Sequence, residues 1–222
     1  MNDMSKILFV LTNYKYMLNG EPTGLWLEEF AVPYLALTDA GHEVEVTSVS
    51  GGDVPIDPNS TPTEEQANEW KPAMAKLSAT PAFTTIDAKE YDAVYLPGGH
   101  GTVFDMPYNQ ALHNVLFDFD RTGRLIASVC HAPAVFAGMY DEHGTPFIKG
   151  RKIAAFTDSE EKAAGGTEKV PFLLESRLKA LGAKHEAAPD WQPHAVLDGR
   201  LITGQNPQSS AEVAHLMLTA LK

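Results

Sequence analysis

The period of the hydrophobic pattern changes several times along the chain, and each change predicts an element. KILFVLT at 6–12 is an unbroken apolar run of strand length. GLWLEEFAVPYLALTDAG at 24–41 spaces its apolar residues at helical intervals and stops at Gly41, and HEVEVTSVS at 42–50 alternates like a strand. Strand, helix, strand is a βαβ unit, whose right-handed crossover implies a parallel sheet. The rhythm recurs: YDAVYLPGG at 91–99 and LIASV at 125–129 each run into a turn and a helix, RKIAAFT at 151–157 reads as another strand, and PFLLESRLKALGA at 171–183 as another helix. The pattern predicts an α/β fold with a doubly wound, mainly parallel sheet and helices on both faces, built by 1–222 as one domain. Between Gly52 and Ala82 five prolines and a polar, short-helix texture break the rhythm, so about 52–82 reads as an insertion beside the sheet, in the place of a lid. YDEHGTPFIKG at 140–150 reads as a surface hairpin or loop.

With 222 residues, 44% of them hydrophobic, the chain can bury the core of one large α/β domain. Its 17 Lys and Arg against 29 Asp and Glu give a net charge of −12, which repels phosphate backbones and anionic lipid, so neither nucleic acid nor membrane is an expected partner. No apolar run approaches the roughly 20 residues that span a bilayer. The opening MNDMSKILFVLTNY has neither a signal-peptide core nor a cleavage site, and the single cysteine can form no intramolecular disulfide; both predict a cytoplasmic setting.

A lone cysteine is most often a small buried hydrophobe. Cys130, in RLIASVCHAPAVF at 124–136, stands where chemistry is expected, because ligands of doubly wound sheets bind beyond the carboxyl ends of the strands. HAPAVFAG then starts a helix with Pro133 in its first turn, which predicts a thiol pKa lowered by the helix N-terminus. Ser128 and Ala132 are small enough for a sharp strand-to-helix turn, a nucleophile elbow without its usual glycines. LPGGHGTVFDMP at 96–107 also follows a strand. The amides of Gly98, Gly99 and Gly101 can surround a developing oxyanion, although a plain glycine turn would look the same; a phosphate loop is excluded, since Lys-Ser/Thr is missing and the glycine spacing is wrong. His42, His113, His143, His185, His194 and His215 show no metal-ligand spacing and are assigned structural or surface roles. His100, inside the glycine loop, is placed to face the pocket.

YDAVYLPGGHG, SVCHAPAVF, FTDSEE, VPFLLESRLKALGA and LITGQNPQSS, in this order from about Lys6 to the C-terminus, resemble the ThiJ/PfpI superfamily on its flavodoxin-like, class I glutamine-amidotransferase-like fold. Within it the chain is similar to the branch of small heat-shock chaperones and glutathione-independent glyoxalases (glyoxalase III, a D-lactate dehydratase). The resemblance implies Cys130 as nucleophile, His131 as its histidine, and Glu161 as the acid that orients the histidine, with Glu160 as the alternative. In TGLWLEEF, alignment on Thr23 and Gly24 selects Glu29 over Glu28 as the carboxyl at the thiol, leaving Glu28 on a solvated helix face. Gly99 and the His131 amide would form the oxyanion site, beside Gly98, and Trp26 a pocket wall. A glutamine amidotransferase would instead show G-x-C-x-G and a distant H-x-E; this chain has S-x-C-x-A and no such pair.

The resemblance further implies a homodimer, a small reactive carbonyl as substrate, and no cofactor. Larger chaperone relatives can bind a metal, but no ligand set here carries over. The implied activity is a lyase reaction converting methylglyoxal to lactate through a cysteine hemithioacetal. Nothing is oxidised overall, in keeping with a chain that has no nicotinamide, flavin or metal motif. The alternatives are a protein deglycase using the same residues and a holdase chaperone, for which Trp26, Trp70, Met74 and Phe83 could supply apolar surface, although core or pocket-wall roles suit these four better.

Overall fold

The N-terminal apolar run forms β1 (Lys6–Leu11), buried from Ile7 onward, in the computed structural model, which describes residues 4–222. Met1–Asp3, the start of the segment read for a signal, lie outside the described residues. The helix that follows, α1 (Leu27–Asp39), buries Leu27, Phe30, Ala31, Tyr34 and Leu37, and the chain turns into β2 (Glu43–Ser48) through Gly41 at φ +91°. The insertion holds two short helices, α2 (Glu64–Glu69) and α3 (Lys71–Met74), and is bolted to the body of the protein by buried Trp70, Ala73, Leu77 and Phe83. Two of the residues considered for an exposed apolar surface, Trp70 and Phe83, are therefore core.

β3 (Ala93–Leu96) leads through α4 (Thr102–Asp105) and α5 (Gln110–Arg121) to β4 (Leu125–Val129). Beyond a 3-10 segment at Ala132–Gly138 come β5 (Lys152–Ile153), α6 (Asp158–Ala163), α7 (Leu174–Ala180), β6 (Lys184–His185), β7 (Ala195–Asp198), β8 (Leu201–Gly204) and α8 (Ser210–Ala220). The six-stranded sheet runs β2-β1-β3-β4-β8-β7, parallel except for β7, which is antiparallel to β8. Crossovers from β1 to β2 and from β3 to β4 run in opposite directions, so right-handed connections put α1 and α5 on opposite faces. The predicted doubly wound sheet is present, and its topological switch point lies between β1 and β3.

Two expectations are corrected. The strand read at 151–157 shrinks to β5, which pairs with β6 outside the main sheet, because the next backbone donors bond elsewhere: Ala154 N–H to the Thr203 hydroxyl and Phe156 N–H to the Cys130 carbonyl. The segment is a strap across strand ends. The helix expected after Cys130 is the 3-10 segment, all of it buried except Gly138. At 140–150 a tight hairpin forms, closed by the Tyr140–Pro146 bridge. Among the described residues no helix is long and apolar enough to cross a membrane.

Candidate active site

Cys130 stands at φ +59°, in the left-handed region that a non-glycine residue occupies at a cost of roughly 1–3 kcal/mol. Both of its backbone groups are pinned: its N–H donates to Gly204 O at 2.9 Å, and its carbonyl accepts from Phe156 N–H at 3.0 Å. Buried Ser128 and Ala132 flank the turn, as the elbow reading required. The thiol is only 3% exposed.

Glu29 lies in the first turn of α1 with 0% exposure, and among the described residues neither carboxyl oxygen has a hydrogen-bond partner. It faces the thiol across Gly98: a Cβ on Gly98 would lie 2.4 Å from Glu29 Oε2 and 3.0 Å from Cys130 Cβ. Burial pushes this carboxyl well above its ordinary pKa, opposed by the Cys130 thiol and the Gly98 backbone. Burial, then the Glu29 carboxyl, push the Cys130 thiol up as well. The expected lowering of the thiol pKa is thus corrected. A 3-10 segment of only seven residues offers little dipole, while the apolar surroundings and the carboxyl disfavour a second anion. Glu28 is half-buried.

Helix α1 is adapted to present Glu29. Pro33 lacks the N–H that would bond the Glu29 carbonyl four residues earlier, and the buried Tyr95 hydroxyl donates to that carbonyl instead, at 2.6 Å. Tyr95 was not singled out from the sequence. Its signal was Pro33, four residues after Glu29.

On the other side of the thiol, His131 Nδ1 lies 3.2 Å from Cys130 Sγ, and His131 Nε2 lies 2.6 Å from Glu161 Oε2. His100 Nε2 reaches the second oxygen, Glu161 Oε1, at 2.7 Å. Burial alone would raise the Glu161 carboxyl, but His131 and His100 together hold it well below the ordinary carboxylate range. Burial and the neighbouring His100 lower the His131 pKa, opposed by the Glu161 carboxylate. With both Nε2 atoms donating to one carboxylate, His131 Nδ1 is left as an acceptor facing the thiol. Phe156 covers the His131 ring, with centroids 4.3 Å apart.

The alternative acid, Glu160, is spent on structure. One oxygen accepts from the Thr157 N–H and hydroxyl, the other from Trp191 N–H, Gln205 Nε2 and Asn206 Nδ2. Gly166 has a role the sequence did not suggest: a Cβ there would fall 1.8 Å from Glu161 Oε1 and 3.4 Å from His100 Nε2. Gly166→Ala is therefore expected to push the carboxylate off the histidines and to lower turnover by about 100-fold, the scale of a 1 Å misplacement, with circular dichroism unchanged. Wild-type kinetics in this variant would contradict the arrangement.

Gly99, at φ +102°, packs where a Cβ would come within 2.2 Å of Gly24 O and 2.5 Å of Trp26 N. Trp26, half-buried, immediately precedes α1 and donates its N–H to Gly98 O at 3.2 Å. Among the described residues the Gly99 and His131 N–H groups donate no backbone hydrogen bond. His100, His131 and Glu161 bring three potential ligand atoms within 4.8 Å of one another, a grouping the sequence reading did not name. Spacing could not show this, because the three residues follow β3, follow β4 and sit on α6.

The DJ-1/PfpI family profile matches residues 23–220. The chain belongs to this family. It is 31% identical to the glutathione-independent glyoxalase HSP31 of Saccharomyces cerevisiae, over 98% of each chain. The crystal structure of glyoxalase III from Candida albicans superimposes with a TM-score of 0.85 at 28% identity, covering 99% of this chain and 98% of that one. The Rapid Encystment Protein 24 kDa of Francisella tularensis superimposes with a TM-score of 0.91 at 34% identity, covering 99% and 100%.

Proposed function

We propose that this DJ-1/PfpI protein is a glutathione-independent glyoxalase that isomerises and hydrates methylglyoxal to lactate. The observation that carries the reading is a thiol held between the buried carboxyl of Glu29 and the imidazole of His131, whose orientation Glu161 fixes. The similarity to named glyoxalases over nearly the whole chain supports it.

His131 Nδ1 takes the thiol proton as sulfur adds to the aldehyde carbon, and the carbonyl oxygen becomes the hydroxyl of a hemithioacetal. The Gly99 and His131 amides are placed to hold that oxygen while it is negative. Glu29, ionised once it has protonated the adduct, removes the hydrogen from the same carbon to give an enediol, and returning a proton to the neighbouring carbon leaves a lactoyl thioester. Water hydrolyses the thioester to lactate and restores the thiol. One carbon is oxidised and its neighbour reduced, so the balance needs no external electron acceptor.

The holdase alternative loses two of its surface residues to the core, Trp70 and Phe83. The direct test is lactate formation from methylglyoxal by chelator-treated protein without added thiol. One lactate per methylglyoxal consumed is expected. Turnover that appears only with glutathione, or only when metal is restored, would defeat the proposal.

A further inference from the structure

The cluster that orients His131 has the composition of a metal site. His100 Nε2 and His131 Nε2 both point at the carboxylate of Glu161, and the three ligand atoms lie within 4.8 Å of one another. Two imidazoles and one carboxylate, with a fourth position left for water, is a donor set suited to zinc and related transition metals and poorly suited to magnesium or calcium. The His131 and Glu161 side chains are 2% and 3% exposed, whereas that of His100 is 14% exposed, so the His100 edge is the way in. Phe156 and Gly166 wall the cluster, Gly166 directly against Glu161 and His100.

We propose that His100, His131 and Glu161 form an inhibitory divalent-transition-metal site, selective for zinc-like ions, that switches the catalytic cysteine off. Metal–ligand bonds to zinc are about 2.0–2.2 Å, which sets donor atoms of a tetrahedral ion roughly 3.3 Å apart. The present 2.6 and 2.7 Å contacts therefore open slightly as the ion replaces two shared protons. Each ring proton moves through solvent from Nε2 to Nδ1, three metal–ligand bonds form, and no electron is transferred. The effect on the thiol follows from the tautomer. Once Nε2 is bound to metal, His131 Nδ1 carries the proton and donates toward sulfur instead of accepting from it. Cys130 itself is not a ligand, because its sulfur faces the opposite nitrogen of the ring.

The inhibitory half rests on the proposed role of His131 as the thiol's base; the binding half does not. The test is a calorimetric titration of the untagged, chelator-treated full chain with Zn²⁺, with Co²⁺ absorption as a second readout. One site per chain with micromolar or tighter affinity is expected, together with visible Co²⁺ bands and no sulfur-to-cobalt charge-transfer band. Cys130→Ala should bind equally well, and His100→Gln at least about 30-fold more weakly. Zn²⁺ at the same concentrations should stop methylglyoxal turnover, and chelator should restore it. Millimolar affinity, undiminished binding by His100→Gln, loss of binding in Cys130→Ala, or full turnover by the zinc-saturated enzyme would each overturn the proposal. A protein that binds zinc in this way but never converts methylglyoxal would refute the glyoxalase reading and leave the site standing.

Discussion

Cys130→Ala is expected to lower methylglyoxal turnover to the rate of buffer, while the protein stays folded. The thiol is the atom that adds to the carbonyl, and no other cysteine can substitute for it. Stability should change little or rise. A residue at φ +59° is strained whether it is cysteine or alanine, so the elbow keeps its cost, while the buried thiol next to the Glu29 carboxyl is removed. The comparison needs kcat for lactate formation and a thermal melt on the same preparation. Residual turnover above about 1% of wild type would mean that the histidine and carboxyls suffice, and the covalent mechanism would fall.

Glu29→Gln is expected to lower turnover by at least about 100-fold, the scale of losing general acid–base catalysis, without lowering Tm. The amide keeps the shape of the side chain but cannot shuttle a proton. The stability half follows from linkage. The folded pKa of Glu29 is raised well above the ordinary 4.5, so its contribution to stability is present below pH 4.5 and is lost as pH climbs toward the folded value. Glutamine titrates in neither state. The Tm of Glu29→Gln relative to wild type should therefore rise between pH 4.5 and 7. Alkylation of Cys130 by a small electrophile should persist, since the elbow and His131 are untouched. A variant that kept turnover, or whose Tm fell further behind wild type as pH rose, would remove Glu29 from the chemistry; if Glu28→Gln lost turnover instead, the role would move one residue along α1.

The pattern alone singles out Cys130 at a strand end; His131, Glu161 and Glu29 come from the family resemblance, which carries over position by position because its motifs are local. Cys130 and His131 are adjacent at a strand end, Glu161 closes a short motif, and Glu29 stands at a fixed distance from Thr23 and Gly24. Relations between loops were hidden. Contact of His100 with Glu161, the approach of Gly166 to that carboxylate, and the hydroxyl of Tyr95 at the carbonyl freed by Pro33 join residues 61, 5 and 66 positions apart, which no periodicity reveals.

Local pattern also misled where burial erased periodicity. APAVFAG is buried at all but its last residue, so its apolar spacing does not separate a 3-10 coil from an α-helix. RKIAAFT has strand composition, yet its amides serve the Thr203 side chain and the Cys130 carbonyl, and so the segment straps the active-site turn in place of extending the sheet. The thiol pKa went astray for a related reason. Helix position is visible in a sequence, whereas a buried carboxyl facing the sulfur is a product of the fold.

The most direct test of covalent chemistry at Cys130 is rapid-quench mass spectrometry of the wild-type protein during turnover of methylglyoxal, with hydroxylamine added in a parallel run. The account predicts a transient gain of one methylglyoxal mass confined to the peptide bearing Cys130, and its conversion by hydroxylamine to lactohydroxamate with release of the free thiol. Steady production of lactate with no mass gain on that peptide, or an adduct found only on lysine and arginine side chains, would contradict it.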